Sequence, residues 1–257
     1  MSDRICMAGL LLVAGCATAP PGDVATPFPA QVRSFSGHSP GTTLPPGWQP
    51  WILSGFKRPT EYRLVSLDGS TVVHADARSS ASGLIHALSI DPAVQPLLEW
   101  RWKVDRPIAA ADNTLRHLED SPARLIVSFD GDFDKLPPQD RVFFSNVHLL
   151  TGQQLPYATL MYIWENRAPR GTVIPNQHTS RIRMIVAESG HGNLGTWQHI
   201  RRNVAEDFRR AFGEEPGRIT AVGIMTDTDN TGEQANTWYG DIQFRRVPKS
   251  AETVAIQ

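Results

Sequence analysis

Oxygen-bearing side chains crowd one short stretch, Asp227-Thr228-Asp229-Asn230-Thr231-Gly232-Glu233. Hard cations take several oxygen ligands, and an Asp-x-Asp-Asn turn with a nearby glycine offers them at close spacing. Asp227, Asp229 and Asn230 are therefore the candidate metal ligands, with calcium the candidate ion. Asp241 or a backbone carbonyl would complete the shell. The stretch is not an EF-hand: Trp238 stands where the bidentate glutamate would be, counting from Asp227 as the first ligand. The same residues also suit a plain turn whose Asp and Asn side chains cap their own backbone. A second cluster, Asp130-Gly131-Asp132-Phe133-Asp134, has Lys135 in place of the loop glycine and suits an exposed hairpin equally well.

Arg101, Arg183, Tyr239 and Asp241 are the candidate ligand-binding residues, with Glu99, Lys103 and Arg181 expected beside them on one polar sheet face. Guanidinium forks, carboxylates and a phenol can together hold sugar hydroxyls or a carboxylated ligand. A solvated outer face of an antiparallel sheet has the same composition. Of the seven tryptophans, Trp100, Trp102 and Trp238 fall on apolar strand faces and are expected in the core. Trp164 and Trp197 lie near strand ends and are expected to be exposed, which adds Trp164 to the ligand-binding set. There is no His-Glu-x-x-His and no P-loop. Carboxylates for glycoside chemistry are present, with Asp227, Asp229 and Asp241 the acid/base candidates.

The elements that must position these residues are mostly strands. In Leu97–Val104, Leu98, Trp100, Trp102 and Val104 alternate with Glu99, Arg101 and Lys103, the period of a half-buried strand. In 238–244, Trp238, Gly240, Ile242 and Phe244 oppose Tyr239, Asp241 and Gln243. Strands are also expected over 60–67, 71–78, 83–89, 124–129, 158–165, 181–186, 197–202 and 219–226, with turns at Asp68-Gly69, Asp91-Pro92, Asp130-Gly131 and Pro137-Pro138. One helix starts at Asn203, an N-cap with Glu206 three residues on, and closes at Gly213. The expected fold is all-β, an antiparallel β-sandwich or jelly roll with one short helix near the C-terminal third. The domain is expected over 51–245, followed by a flexible tail at 246–257.

The N-terminus gives an address. Residues 1–15 suit a signal peptide, since the apolar stretch from Ile5 to Ala14 is too short to span a bilayer as a helix. Leu12-Val13-Ala14-Gly15-Cys16 resembles a bacterial lipobox, which implies diacylation of Cys16. Ala17, a residue other than Asp, resembles the sorting pattern for the outer membrane. Residues 16–50, rich in Pro, Gly, Ser and Thr, are expected to form a tether, with order near Trp48 and Trp51. The two cysteines are Cys6 and Cys16, so the processed domain would hold no thiol for a disulfide, a zinc site or a nucleophile. A net charge of −1 gives no nucleic-acid footprint.

Several stretches carry a family resemblance. They include Trp100-Arg101-Trp102-Lys103-Val104, Tyr162-Ile163-Trp164 and Arg183-Met184-Ile185-Val186. Asp207-Phe208-Arg209-Arg210-Ala211-Phe212-Gly213 and Met225-Thr226-Asp227-Thr228-Asp229-Asn230-Thr231-Gly232 carry it most strongly. On these, the chain resembles the bacterial domain-of-unknown-function family 3047. Its closing strand pair is also similar to that of galactose-binding-like jelly rolls. The resemblance implies membership and a fold, and no activity. The leading expectation is an exported lipoprotein whose non-catalytic domain binds a saccharide or other envelope polymer. The alternatives are a glycan lyase or hydrolase, and a structural lipoprotein that binds an envelope protein.

Overall fold

A computed structural model describes residues 28–53 and 55–248. The expected signal peptide, Cys16, the first part of the expected tether and the end of the expected tail lie outside the described residues. The strands are β1 (Trp48–Trp51), β2 (Glu61–Leu67), β3 (Ser70–Arg78), β4 (Ala81–Ile90), β5 (Leu97–Val104) and β6 (Ser121–Phe129). They continue with β7 (Ala158–Glu165), β8 (Val173–Pro175), β9 (Ile182–Ser189), β10 (Gln198–Asn203), β11 (Ile219–Asp227) and β12 (Gln234–Arg245). Two helices interrupt them, α1 (Pro138–Thr151) and α2 (Val204–Phe212).

The strands form two sheets, one of seven strands in the order β1-β4-β11-β6-β7-β9-β8 and one of five in the order β10-β5-β12-β3-β2. The chain crosses between them repeatedly, so neighbours in each sheet come from distant sequence. The alternation of β5 holds throughout: Leu98, Trp100, Trp102 and Val104 are buried, while Glu99, Arg101 and Lys103 are not. Trp100 meets Tyr162 of the opposite sheet with ring centroids 5.1 Å apart, which places the main core between the two layers. The β2–β3 hairpin turns on Asp68 and Gly69, both at positive φ (51° and 76°), as a type I′ turn requires. Helix α2 is capped as its sequence predicts: Asn203 accepts from the Glu206 amide, and Gly213 closes the helix in the left-handed conformation.

The all-β sandwich stands, and several details differ from expectation. Strands β7 and β9 pair in parallel, so the larger sheet is mixed. Helix α1 lies where Pro137-Pro138 suggests only a turn. Proline at a first helical position is favourable, since its missing N–H has no partner there anyway. Apolar periodicity could not reveal α1, because it buries only Asp140 and leaves Val142, Leu149 and Leu150 in solvent. The domain also begins before residue 51. Phe35 and Trp48 are core residues, and Gly41 and Leu64 exchange backbone hydrogen bonds. The second half of the expected tether is therefore folded onto the sandwich.

A bulge resets β12. Tyr239 faces Trp102 of β5 and Ile242 faces Trp100, so β12 carries one residue more than its partner over this span. The alternation inverts there: Ala235, Thr237 and Tyr239 point inward before the bulge, and Ile242 does so after it. Trp238, expected in the core, therefore lies on the outer face. Gly240 permits the bulge, since a Cβ there would come 2.5 Å from the Arg101 side chain.

Candidate functional site

The outer face of the five-stranded sheet collects side chains that the core does not use. β5 presents Glu99, Arg101 and Lys103. β10 sets His199 opposite Arg101 and Arg201 opposite Glu99. β12 sets Trp238 between Lys103 and His74. The loop before β10 supplies Trp197, whose Nε1 donates to Asp68 at 2.8 Å. The Arg101 guanidinium lies over the Trp197 ring, 4.6 Å from its centroid, a favourable cation–π placement. The Arg101 guanidinium makes no hydrogen bond or ion pair among the described residues.

Trp238 stacks on His74 with centroids 5.0 Å apart and planes at 22°, and the Lys103 ammonium approaches its ring to 5.7 Å. Burial pulls the His74 pKa down, against a hydrogen bond to Asn236 that pulls it up, so the imidazole is neutral beside these cations. A cavity of about 480 Å³ opens next to Arg101, with Glu99, His199, Arg201, Gln243 and Arg245 on its walls. Glu99 bridges Arg201 (3.3 Å) and Arg245 (2.7 Å). Asp241 also reaches this cavity. Its carboxylate is occupied by the backbone N–H groups of Phe35 (2.7 Å) and Ser36 (3.0 Å) and by the Ser36 hydroxyl. It therefore pins the N-terminal segment to the sheet.

The other expected ligand-binding residues lie elsewhere. Arg183 is on β9, in the seven-stranded sheet, against the Phe212 ring. It does not share a face with Arg101. Strand periodicity says which residues of one strand point together, and it leaves open which sheet the strand joins. Trp164 is fully buried, and its Nε1 donates to the Gly190 carbonyl at 3.0 Å. Its position at a strand end does not expose it. Tyr239 is also buried; its hydroxyl donates to the Met225 carbonyl at 2.6 Å and meets the Thr226 hydroxyl at 2.9 Å. Burial drives its pKa up, so it stays a neutral phenol. Arg181, expected on the polar face, is likewise buried, against Glu214 and the Tyr157 ring.

The acidic stretch forms a separate site at the end of β11. Asp227 and Asp229 come together with Asp120, one oxygen of each lying within 4.8 Å of the others. Asp120 was not foreseen, since it sits just before β6 and only the β6–β11 pairing brings it there. Asn230 turns its side chain to the Glu119 carbonyl at 3.2 Å instead of joining the carboxylates. Asp241, the other residue expected to complete the shell, is on the five-stranded sheet. Asp227 is salt-bridged to Arg124 at 3.3 Å and Asp229 to Lys57 at 2.7 Å. Burial raises the Asp227 pKa well above the usual carboxylate range, more than the Arg124 charge lowers it. Burial also pushes Asp229 up, and the adjoining Asp227 carboxyl and the Lys57 ammonium outweigh this and bring its pKa down. The second acidic cluster gathers no such group: Asp132 caps the Asp134 amide, and Asp130 takes the Gly131 amide.

Three solved structures with a related course show how far the likeness extends. The family 30 carbohydrate-binding module of a Clostridium thermocellum cellulosomal cellulase aligns at TM-score 0.40 and 12% identity, over 86% of this chain and 98% of that one. The CBM22-1 xylan-binding domain from Paenibacillus barcinonensis aligns at TM-score 0.34 and 14% identity, over 88% and 100%. A β-1,2-glucanase from Parabacteroides distasonis aligns at TM-score 0.39 and 11% identity, over 90% of this chain but 27% of the glucanase. No curated protein matches the chain. The sequence profile that does match spans residues 46–243, and on it the chain belongs to the family described as protein of unknown function, DUF3047.

Proposed function

We propose that this chain is a non-catalytic binding domain for a saccharide polymer of the cell envelope, held at the outer membrane by a lipid on Cys16. The observation that carries the reading is Arg101, an unpaired guanidinium braced on Trp197 at the mouth of a polar cavity. A planar fork held against an aromatic face loses little freedom on gripping a hydroxyl pair or a carboxylate. The cavity sets Arg101, Arg201 and Arg245 against Glu99 and Asp241, which favours a carboxylated saccharide over a neutral one. The carboxylates there are already engaged, Glu99 by two arginines and Asp241 by the N-terminal segment. That favours binding over glycan cleavage.

An array of neutral and uronate-bearing glycans tests the site. Binding to the uronate-bearing members should weaken with added salt, because the contact is charge-assisted. Arg101→Ala should weaken it by about tenfold or more, the scale of one lost hydrogen bond to a charged group. Trp197→Ala should weaken it in the same direction, and the unfolding temperature should hold in both variants. An array on which nothing binds, or an Arg101→Ala chain that binds like the parent, removes the proposal.

The address has its own test. In cells making the full chain, Cys16→Ala should move the protein from the membrane fraction to the soluble fraction. Acyl chains on the cysteine supply the anchoring energy. A variant that stays with the membrane would show that something else anchors it.

A further inference from the structure

Of the three carboxylates beside β11, one is held at both oxygens and the other two each leave one oxygen unsatisfied. Asp120 accepts from the amides of Asn230 (3.2 Å) and Thr231 (2.8 Å) and from the Thr231 hydroxyl (2.7 Å). Asp227 turns Oδ2 to Arg124, and Asp229 turns Oδ2 to Lys57. The remaining oxygens, Oδ1 of Asp227 and Oδ1 of Asp229, are buried and have no hydrogen-bond partner. Asp227 is only 6% exposed. A buried, unpartnered carboxylate oxygen is costly, and two in one cluster are rare in native folds.

The charges point the same way. With all four ionised, as a bound cation would hold them, Asp120, Asp227, Asp229 and Glu119, which lies 3.5 Å from Arg124, carry four negative charges. Arg124 and Lys57 carry two positive ones. The difference is the charge of one divalent cation. All the donors are oxygen, which selects a hard ion over zinc or copper. The ligand oxygens all lie within 4.8 Å of one another, so one calcium at ~2.4 Å from each can reach all three, and calcium accepts such an irregular carboxylate set more readily than magnesium, which keeps several waters.

We propose that Asp120, Asp227 and Asp229 form a calcium site that clamps the segment before β6 to the β11–β12 turn. The clamp joins parts of the chain that only tertiary structure brings together, so occupancy stabilises the folded state directly. It uses none of the residues around Arg101 and does not depend on the glycan reading. The test uses the full chain, stripped with chelator and then titrated with calcium chloride. The unfolding temperature should rise by about 5 °C or more at millimolar calcium, and isothermal titration should report one site. Asp229→Asn should abolish the response, and Asp120→Asn should weaken it. A parent chain whose unfolding temperature and titration heat ignore calcium overturns the site. A response of equal size to magnesium overturns the assignment of calcium. Should Asp229→Asn fail to fold, metal analysis of the parent chain purified without chelator decides the matter: one bound calcium supports the proposal, and none defeats it.

Discussion

Replacing Arg124 by leucine is expected to destabilise the chain by about 3–5 kcal/mol when measured in chelator, the range found when one partner of a buried ion pair is removed. Arg124 sits on the outer face of β6 and is only 2% exposed. One guanidinium nitrogen donates to the Glu119 carbonyl at 2.8 Å and lies 3.3 Å from Asp227; another lies 3.5 Å from the Glu119 carboxylate. The stem and fork also pack against Met184, with sulfur 3.6 Å from the guanidinium. Leucine would keep some of the apolar packing and remove the only cation against Asp227 among the described residues, leaving that carboxylate beside Asp120 and Asp229. Arg124→Lys should cost less than leucine, since it keeps the charge, but it cannot serve Glu119 and Asp227 with one fork. In the double variant with Asp227→Asn, part of the loss should return, because the uncompensated charge goes too. Chemical denaturation of the four chains measures all of this. An Arg124→Leu chain within about 0.5 kcal/mol of the parent, the range of an ordinary surface substitution, would mean the pair has little energetic consequence.

Arg124 also shows where sequence reading succeeds and fails. β5 was legible because every second residue is a large apolar one and the strand is regular from end to end. α2 was legible because its caps are local: Asn203 and Glu206 meet three residues apart. β12 was not, because one extra residue at the bulge inverts its alternation, and nothing in Trp238-Tyr239-Gly240-Asp241 marks the residue at which the inversion falls except the glycine. Trp164 was misplaced because the loop carrying Gly190 covers the end of its strand. The sites divide in the same way. Arg101 could be placed on an exposed strand face, while its separation from Arg183 depended on strand order across two sheets. Asp227 and Asp229 were visible as a pair, while Asp120 reaches them only through the pairing of β6 with β11. A strand with a charged outer residue looks solvated in sequence, so Arg124 gave no hint that the loop before β6 buries it.

The run Asp207-Phe208-Arg209-Arg210-Ala211-Phe212-Gly213 is among the strongest carriers of the family resemblance, and the fold gives it a structural role. Asp207 faces inward from α2. It accepts the Tyr162 hydroxyl at 2.9 Å, takes both arms of the Arg202 guanidinium, one at 2.8 Å, and lies 3.1 Å from Arg210. One carboxylate thus ties α2 to β10 and, through Tyr162, to the middle of β7. Tyr162 is fully buried, and burial together with the Asp207 charge keeps its phenol neutral and donating. Asp207→Ala should therefore cost about 3–5 kcal/mol, since it leaves a buried hydroxyl and a half-buried guanidinium without their acceptor. Asp207→Asn keeps the shape and one acceptor oxygen while losing the charge, and should fall between alanine and the parent. Arg209 belongs to the same run but points to solvent, where it pairs with exposed Glu215. Arg209→Ala should leave the unfolding midpoint where it was. If the two positions prove equally sensitive, or both insensitive, the helix-to-sheet lock is not what the run encodes, and a contact made by its exposed arginines becomes the better account.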